Sequence, residues 1–368
     1  MLSSGPSVII GIDIGGANTK AALVSFDDGV TTRCFSVIEY FPFWEKTITQ
    51  IPEMLSRLTE KLQKKAGIES SAVSYLAIAI TAELSDAFQT KREGITIIRK
   101  ALAQVFKEDK LFFISTNGKF ITIDRVSLDF SQVCAANWVS TALFLGEYVK
   151  SGILIDAGST TIDLIPIING KPSTQGKSDL ERLIHHELIY TGGLRATIPS
   201  ITHFVPLNNE WIRISFEKFA LISDVHMILN NITKGEYIND TADNRSKSIN
   251  DCYARLSRII CADTESTNTE QLDLIANYIY QKQIELISSE ITLFLEETEK
   301  RLPKISNPFK FYITGLSANF LIKPVLERLG YKEIYYYEEH TNIPDNISSS
   351  AFALAGALYF QLNKKSRI

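Results

Sequence analysis

Two short stretches place a carboxylate, glycines and hydroxyls together where one apolar run ends and another begins. The first is VIIGIDIGGANTKAALVSF, residues Val8 to Phe26, and the second is GILIDAGSTTIDLIPIING, which starts at Gly152. Asp13-Ile14-Gly15-Gly16 aligns with Asp156-Ala157-Gly158-Ser159 at an offset of 143 residues, a repeat on the scale of a domain. Backbone N–H groups in a tight glycine-rich turn form a concave anion nest, and glycine lets a ligand approach the backbone closely. Phosphate oxygens are the expected guest. The predicted contacts are Gly15, Gly16, Asn18, Thr19 and Lys20 on the first turn, with Gly158, Ser159, Thr160 and Thr161 on the second. Asp13 and Asp156 close their strands, where each can hold Mg²⁺ directly or through water against a polyphosphate charge.

The elements that must position these groups are legible in the hydrophobic pattern. VIIGID and KAALVSF read as strands, and the Asp27 to Gly29 turn leads into a third strand, VTTRCFSVIEY, so the chain opens as a meander. IPEMLSRLTEKLQKKAG has helical spacing and ends on Gly67. VSYLAIAI reads as a strand running into TAELSDAFQTKREGITIIRKAL, and LFFIST as another. After the second turn, Asn169-Gly170 marks a hairpin, and helices are expected in SDLERLIHHELIYTG, FALISDVHMILNNI, NDCYARLSRIICAD and Thr269 to about Arg301, stopped by Pro303. FKFYITG is a strand, SANFLIKPVLERLG and SSSAFALAGALYFQL are helices, and Tyr335 to Tyr337 belongs to a strand. A chain of 368 residues exceeds the roughly 250 to 300 that one core supports. The reading is α/β with two domains, 1–150 and 151–368. The second carries a helical insertion at about 195–300, and the last helix packs on the first domain. A ligand cleft is expected between the domains, faced by one turn from each.

Composition narrows the function. With 42 acidic against 38 basic residues there is no nucleic-acid footprint, and no apolar run reaches the 18 to 20 residues of a membrane span. MLSSGPSVIIGID has no features of a signal peptide, so a cytoplasmic protein is expected. Cys34, Cys134, Cys252 and Cys261 form no CxxC pair, and the five histidines form no HExxH, so neither a disulfide framework nor a zinc site is expected. Neither glycine-rich turn opens a helix as GxGxxG or carries GxxxxGKS, which excludes the dinucleotide and P-loop readings.

GIDIGGANTK, LIDAGSTTIDL and YITGLSANF resemble the two phosphate motifs and the adenosine-type motif of the superfamily that includes actin, the sugar kinases and the heat-shock chaperones. The resemblance implies two duplicated ribonuclease-H-like (actin-like ATPase) domains, with the hydantoinase/oxoprolinase branch nearest. TAELSDAFQTKREG, AANW, DLERLIHHELIYTGGLRATIP, FALISDVHMILNNIT and RLSRIICAD are similar to the archaeal methanofuran-biosynthesis synthases and related tetrahydromethanopterin-linked one-carbon proteins. That family implies a transferase joining an aminomethylfuran diphosphate to the phenol oxygen of γ-glutamyltyramine, forming an aryl-alkyl ether and releasing diphosphate. Gly315-Leu316-Ser317-Ala318 has one glycine where nucleotide-using relatives have two or more. Leu316 is therefore expected to hinder an adenine, and ATP is not expected to be required. Ile162 stands where a third threonine is expected in the second loop.

On this reading the turns and Mg²⁺ stabilise the departing diphosphate. The phenol, with a pKa near 10 unperturbed, needs a base or a nearby cation. Glu83, Asp86, Thr90, Lys91 and Arg92 follow a strand end and can supply either: Lys91 as cation, Asp86 or Glu83 as proton acceptor. Arg195 is placed as a clamp for the γ-glutamyl carboxylate, and Asn137 and Trp138 as pocket lining, with a plain surface ion pair and a plain core tryptophan as the alternatives. His185 and His186 face different ways on a helix. The rival functions are an ATP-dependent small-molecule kinase or ring-opening amidohydrolase, and an actin-like nucleotide-binding scaffold.

Overall fold

A computed structural model describes residues 7–28, 30–302, 305 and 308–365. Gly29 of the first hairpin and Pro303, read as the stop of the long helix, lie outside them.

The meander forms as read. β1 (Ser7–Ile14) pairs antiparallel with β2 (Asn18–Asp27), which pairs antiparallel with β3 (Val30–Tyr40). Helix α1 (Ile51–Ala66) ends on Gly67, whose φ of 65° is the left-handed value that glycine adopts without steric cost. β4 (Tyr75–Ile80) then pairs parallel with β1, and α2 (Lys91–Val105) leads back to β5 (Leu111–Ile114), parallel to β4, and β6 (Phe120–Thr122). The first sheet has the order β3-β2-β1-β4-β5-β6.

Side chains on β1 alternate between the two faces of this sheet. Ile10, Ile12 and Ile14 join Leu55, Leu58 and Leu62 of α1 and Ile98 and Leu102 of α2 in one core. Ile9, Gly11 and Asp13 occupy the other face. The short α3 (Ile123–Leu128) and α4 (Asn137–Leu145) complete this stretch of chain.

β7 (Ser151–Ala157) and β8 (Ile162–Ile168) flank the second turn, and the short β9 (Lys171–Pro172) pairs with β8. The helix expected across SDLERLIHHELIYTG is only α5 (Asp179–Ile184), because His186 has a φ of 54° and the chain turns into β10 (Leu188–Ile189), which pairs with β8. The hairpin β11 (Phe204–Leu207) and β12 (Glu210–Arg213) follows, then α6 (Ile222–Ile228), α7 (Ile249–Arg258) and α8 (Thr269–Arg301). β13 (Phe311–Thr314) leads through a π-helical turn, Ala318–Ile322, into α9 (Lys323–Arg328), and β14 (Ile334–Tyr336), α10 (Tyr337–Thr341) and α11 (Ser349–Lys365) end the fold. The second sheet has the order β10-β8-β7-β13-β14.

The described residues within Met1–Leu154, Ile165–Ile184 and Tyr335–Ile368 form one compact unit, and those within Ile155–Leu164 and His185–Ile334 form a second. This differs from a single cut at residue 150. The segment with β9 and α5, expected with the second domain, belongs to the first unit. So does α11, which packs on β1, β2 and α4.

A Cβ on Gly11 would lie 2.0 Å from the Ala351 carbonyl oxygen and 2.9 Å from Leu354 Cβ, so α11 rests directly on the β1 backbone. Gly11→Ala should cost about 3 kcal/mol or more, since neither backbone can yield by an ångström. The measurement is the melting temperature, and a variant as stable as the wild type would contradict this packing.

Candidate functional site

In the first unit the Asp13–Lys20 turn is a tight reversal. The Gly15 N–H donates to Asn18 O at 3.1 Å, while Phe41 and Phe43 N–H groups bond Ala17 O and Gly16 O. Asp13, 6% exposed, lies opposite Lys20 in the β1–β2 register, so their side chains share a sheet face. Ser350, in the first turn of α11, donates its hydroxyl to Asp13 Oδ2. Thr19 Oγ1 and Asn18 Oδ1 are buried without a hydrogen-bond partner. Buried polar atoms are usually satisfied, so two orphans in one turn mark a place for a ligand or ordered water. Gly15 is required by the fold, since its Cβ would meet Asn18 O at 2.7 Å. Gly16 is not: the nearest atom to its would-be Cβ is Ser85 Cβ at 3.8 Å. The protein itself therefore does not need a glycine there, and the open space is what a phosphate nest requires.

The second turn, in the second unit, repeats the same bond, with the Gly158 N–H donating to Thr161 O at 2.9 Å. Gly158 is also uncrowded, with nothing nearer its would-be Cβ than Thr161 O at 3.6 Å. Two further segments clamp this turn. Gly192, Gly193, Leu194 and Arg195 donate their N–H groups to Thr160 O, Gly158 O, Ser159 O and Ser159 O, respectively. Ser317 Oγ donates to Ala157 O and Gly158 O at 2.9 and 3.0 Å, and its N–H also reaches Ala157 O. The approach is too close for side chains: a Cβ on Gly192 would be 2.6 Å from Thr160 N, and one on Gly193 2.8 Å from Ser317 Cβ. Gly315, at a φ of 92°, would press a Cβ to 2.7 Å from Asp156 Oδ1, so its missing side chain leaves room for that carboxylate. Gly315, the one glycine of the adenosine-type motif, thus has a packing role here.

A buried donor chain holds the clamp. Asn231 Nδ2 donates to His226 Nδ1, His226 Nε2 to Gln283 Oε1, and Gln283 Nε2 to Thr191 Oγ1 and Gly192 O. This direction requires a neutral imidazole, and burial pushes His226 down to about 3. Gly192, Gly193, Ser317, His226 and Gln283 were not singled out from the sequence. The doubled glycine in TGGLR was the available signal. Leu316, expected to hinder an adenine, is partly buried and packs against the core that holds Leu194 and Ile198.

In the first unit, residues 81–90 form a succession of turns ahead of α2. The Thr81 N–H donates to Ile14 O, Ser85 lies beside Gly16, and Thr90 caps α2 by accepting from the Glu93 N–H. Glu83 is 1% exposed, and neither carboxyl oxygen has a hydrogen-bond partner. Burial pushes it up to about 7; Asp179 adds to the rise, while Lys91 and the Glu83 and Ala135 amides, facing it outside hydrogen-bonding geometry, offset part of it. Gly94 lets it pack, since a Cβ there would lie 2.8 Å from Glu83 Cα. A depression of about 540 Å³ opens beside it, lined by Thr90, Lys91, Arg92, Phe130, Ser131, Cys134 and Ser178.

The remaining candidates are spread out. Asp86 is exposed on the same segment. Asn137 starts α4 and accepts from Ser140 Oγ through its carbonyl. Trp138 is buried with its ring 4.4 Å from the Arg182 guanidinium, in the core rather than in the pocket wall. Arg195 is half-buried at the second turn, and His185 and His186 pair with Glu297 and Glu290. Among the described residues no group of three or more His, Cys, Asp or Glu could hold a metal ion. Each turn instead offers one carboxylate, the sparse donor set of a Mg²⁺ ligated mainly by water and phosphate.

Residues 75–359 match the hydantoinase/oxoprolinase family. The chain belongs to that family. This hydantoinase/oxoprolinase protein is 33% identical over 361 residues to the (4-{4-[2-(γ-L-glutamylamino)ethyl]phenoxymethyl}furan-2-yl)methanamine synthase of Methanocaldococcus jannaschii, covering 97% of this chain and 99% of the relative. It is 30% identical to the Methanococcus vannielii protein of the same name, covering 59% of this chain and 94% of that one. Acetone carboxylase in its nucleotide-free form shares the fold, with a TM-score of 0.55 at 12% identity, covering 95% of this chain and 70% of that one. The fold is mixed α/β of the actin-like type, with two six-stranded sheets among the described residues. Among the described residues no helix is long and apolar enough to cross a membrane.

The glycines give a contrast. Gly192→Ala should destabilise the second unit, whereas Gly16→Ala should melt near the wild type yet weaken inorganic diphosphate binding by about tenfold. Calorimetry on both variants tests it, and diphosphate bound equally well by Gly16→Ala would count against the nest. Glu83 gives a second test. Its folded form holds a proton more tightly than the unfolded carboxyl, so the wild type loses stability as pH rises from about 4.5 to about 7. Glu83→Gln cannot titrate, so it should gain on the wild type by up to about 3 kcal/mol between pH 4.5 and 8 in paired denaturation curves.

Proposed function

We propose that the protein makes the methanofuran intermediate named for its relatives, joining an aminomethylfuran diphosphate to the phenol oxygen of γ-glutamyltyramine with loss of diphosphate. The observation that carries this reading is the 33% identity running through 97% of the chain and 99% of the relative. The named product contains a phenoxymethylfuran, which requires an ether bond between a phenol oxygen and a furan-bearing CH₂. A furan stabilises positive charge on that carbon, so departure of the leaving group dominates the barrier, and donors aimed at the departing anion are the main catalytic term. The open backbone at Gly16 on the turn of the first unit, with the unpartnered Thr19 hydroxyl, suits such an anion, as does the open backbone at Gly158 on the turn of the second. Lys20 adds a cation to the first turn, and Ser159, Thr160 and Thr161 add hydroxyls to the second; on each turn one carboxylate, Asp13 or Asp156, would hold Mg²⁺, which would supply charge neutralisation on a diphosphate.

The phenol proton needs an acceptor. Glu83 is the choice here, because a base is most effective when its pKa lies near the working pH and burial pushes Glu83 up to about 7. Lys91 beside it would favour the phenolate. No ATP is needed energetically, since a diphosphate substrate already carries its leaving group.

The test is purified protein with Mg²⁺, the furan diphosphate and γ-glutamyltyramine, without ATP, followed by diphosphate release and product mass, with Asp156→Ala as control. An ether product that requires both substrates is expected. Its rate should rise through an acid limb near pH 7, as Glu83 loses its proton. Glu83→Gln should lose about 10²-fold or more in kcat and that limb with it. If no ether forms and Mg·ATP is turned over instead, a kinase or amidohydrolase reading replaces this one.

A further inference from the structure

The pocket whose wall includes Lys91 and Cys134 fronts the buried Glu83 without reaching it. The segment Thr81–Thr90 runs between the two features that a transfer reaction would need to couple. At one end Ser85 lies against Gly16 of the first anion turn, and at the other Thr90 and Lys91 begin the pocket wall. The wall is cationic and aromatic. The Arg92 guanidinium stands 4.3 Å from the centre of the Phe130 ring, Lys91 lies in the first turn of the fifteen-residue α2, and Ser131 and Ser178 contribute hydroxyls. Ser178 comes from a distant part of the chain, just before α5, and was not singled out from the sequence. Behind the wall, the Glu83 carboxyl faces Lys91 and Cys134, and neither of its oxygens has a partner. Cys134 is no competitor for a proton, since burial pushes its thiol up to about 12.

A volume of about 540 Å³ lies within the range of small-molecule sites. An aromatic edge or face suits Phe130, a carboxylate suits Lys91, Arg92 and the N-terminus of α2, and a hydroxyl donor would complete Glu83. We infer that this pocket is the acceptor subsite: it takes an aryl alcohol with an anionic tail, stacks the ring on Phe130 and Arg92, and brings the hydroxyl to the Lys91 and Cys134 side of the wall, from which Glu83 is reached when that wall yields. The identification of the acceptor as γ-glutamyltyramine rests on the synthase reading. In the step itself the phenol O–H proton passes to the Glu83 carboxylate, and the phenol oxygen forms its bond to the furan CH₂. The bond from that CH₂ to the diphosphate oxygen breaks, and its electron pair leaves with diphosphate.

The experiment is calorimetric binding of γ-glutamyltyramine to the full chain with Mg²⁺ and inorganic diphosphate present, for the wild type, Phe130→Ala, Arg92→Ala and Arg92→Lys. Steady-state KM values for both substrates are measured alongside. Acceptor binding should weaken about tenfold or more in the two alanine variants and less in Arg92→Lys, with diphosphate binding unchanged and only the acceptor KM raised. Circular dichroism confirms that each variant is folded. A wild type that does not bind the acceptor, or variants that bind it equally well, overturn the subsite. If the ether forms while the variants keep the acceptor KM, the subsite fails and the synthase reading stands. If no ether forms but the variants lose acceptor binding, the synthase reading fails and the pocket stands as an aryl-acid site.

Discussion

The Ala351 carbonyl oxygen lies 2.0 Å from the point where a Cβ on Gly11 would stand, and this contact sets the register between α11 and β1. Asp13 lies two residues further along β1 on the same face, and Ser350, one residue before Ala351, meets its carboxylate. The carboxylate is therefore oriented in part by backbone-on-backbone packing. The second unit uses the same device, with Gly192, Gly193 and Gly315 bringing two chain segments within hydrogen-bonding reach of one turn. In both units glycines permit the close approach, and one further glycine, Gly16 or Gly158, is left uncrowded.

Two buried titratable groups show how burial separates structural from chemical roles. His226 is fully buried, neutral and satisfied at both ring nitrogens by Asn231 and Gln283, so its lowered pKa describes a packed strut. Glu83 is equally buried but has no partner, and it lies behind a pocket with two cationic side chains. Unsatisfied burial costs stability, and proteins keep it where function repays the loss.

Much of this was legible in the sequence, because the meander, the capped α1 and the two Asp-x-Gly turns depend on local pattern. Helix α8 was read with the bounds it has, and Glu83 and Lys91 were named together. Other features depend on contacts distant in sequence. The clamp of Gly192 and Ser317 on the second turn joins residues far apart in the chain, and nothing in periodicity marks a hydrogen bond from Gln283 to Thr191. The packing of Leu316 was hidden for a related reason. Size was visible but direction was not, and the side chain turns into a core. The course of residues 81–90 was also hidden, because their backbone is committed to Ile14, a distant strand, and to a run of tight turns.

The path of the chain has a consequence for dissection and for descent. It passes between the units after Leu154, Leu164, Ile184 and Ile334, so no single cut yields two whole units. A fragment ending near residue 150 would lack α11, which lies over Gly11 and supplies Ser350, and also the turn that supplies Ser178 and Arg182. The duplicated turns suggest two interchangeable halves, but the threading makes them mutually dependent for folding. Fragment complementation should therefore be sought with breaks in exposed loops inside a unit, and a tandem duplication of either half would not by itself recreate this fold.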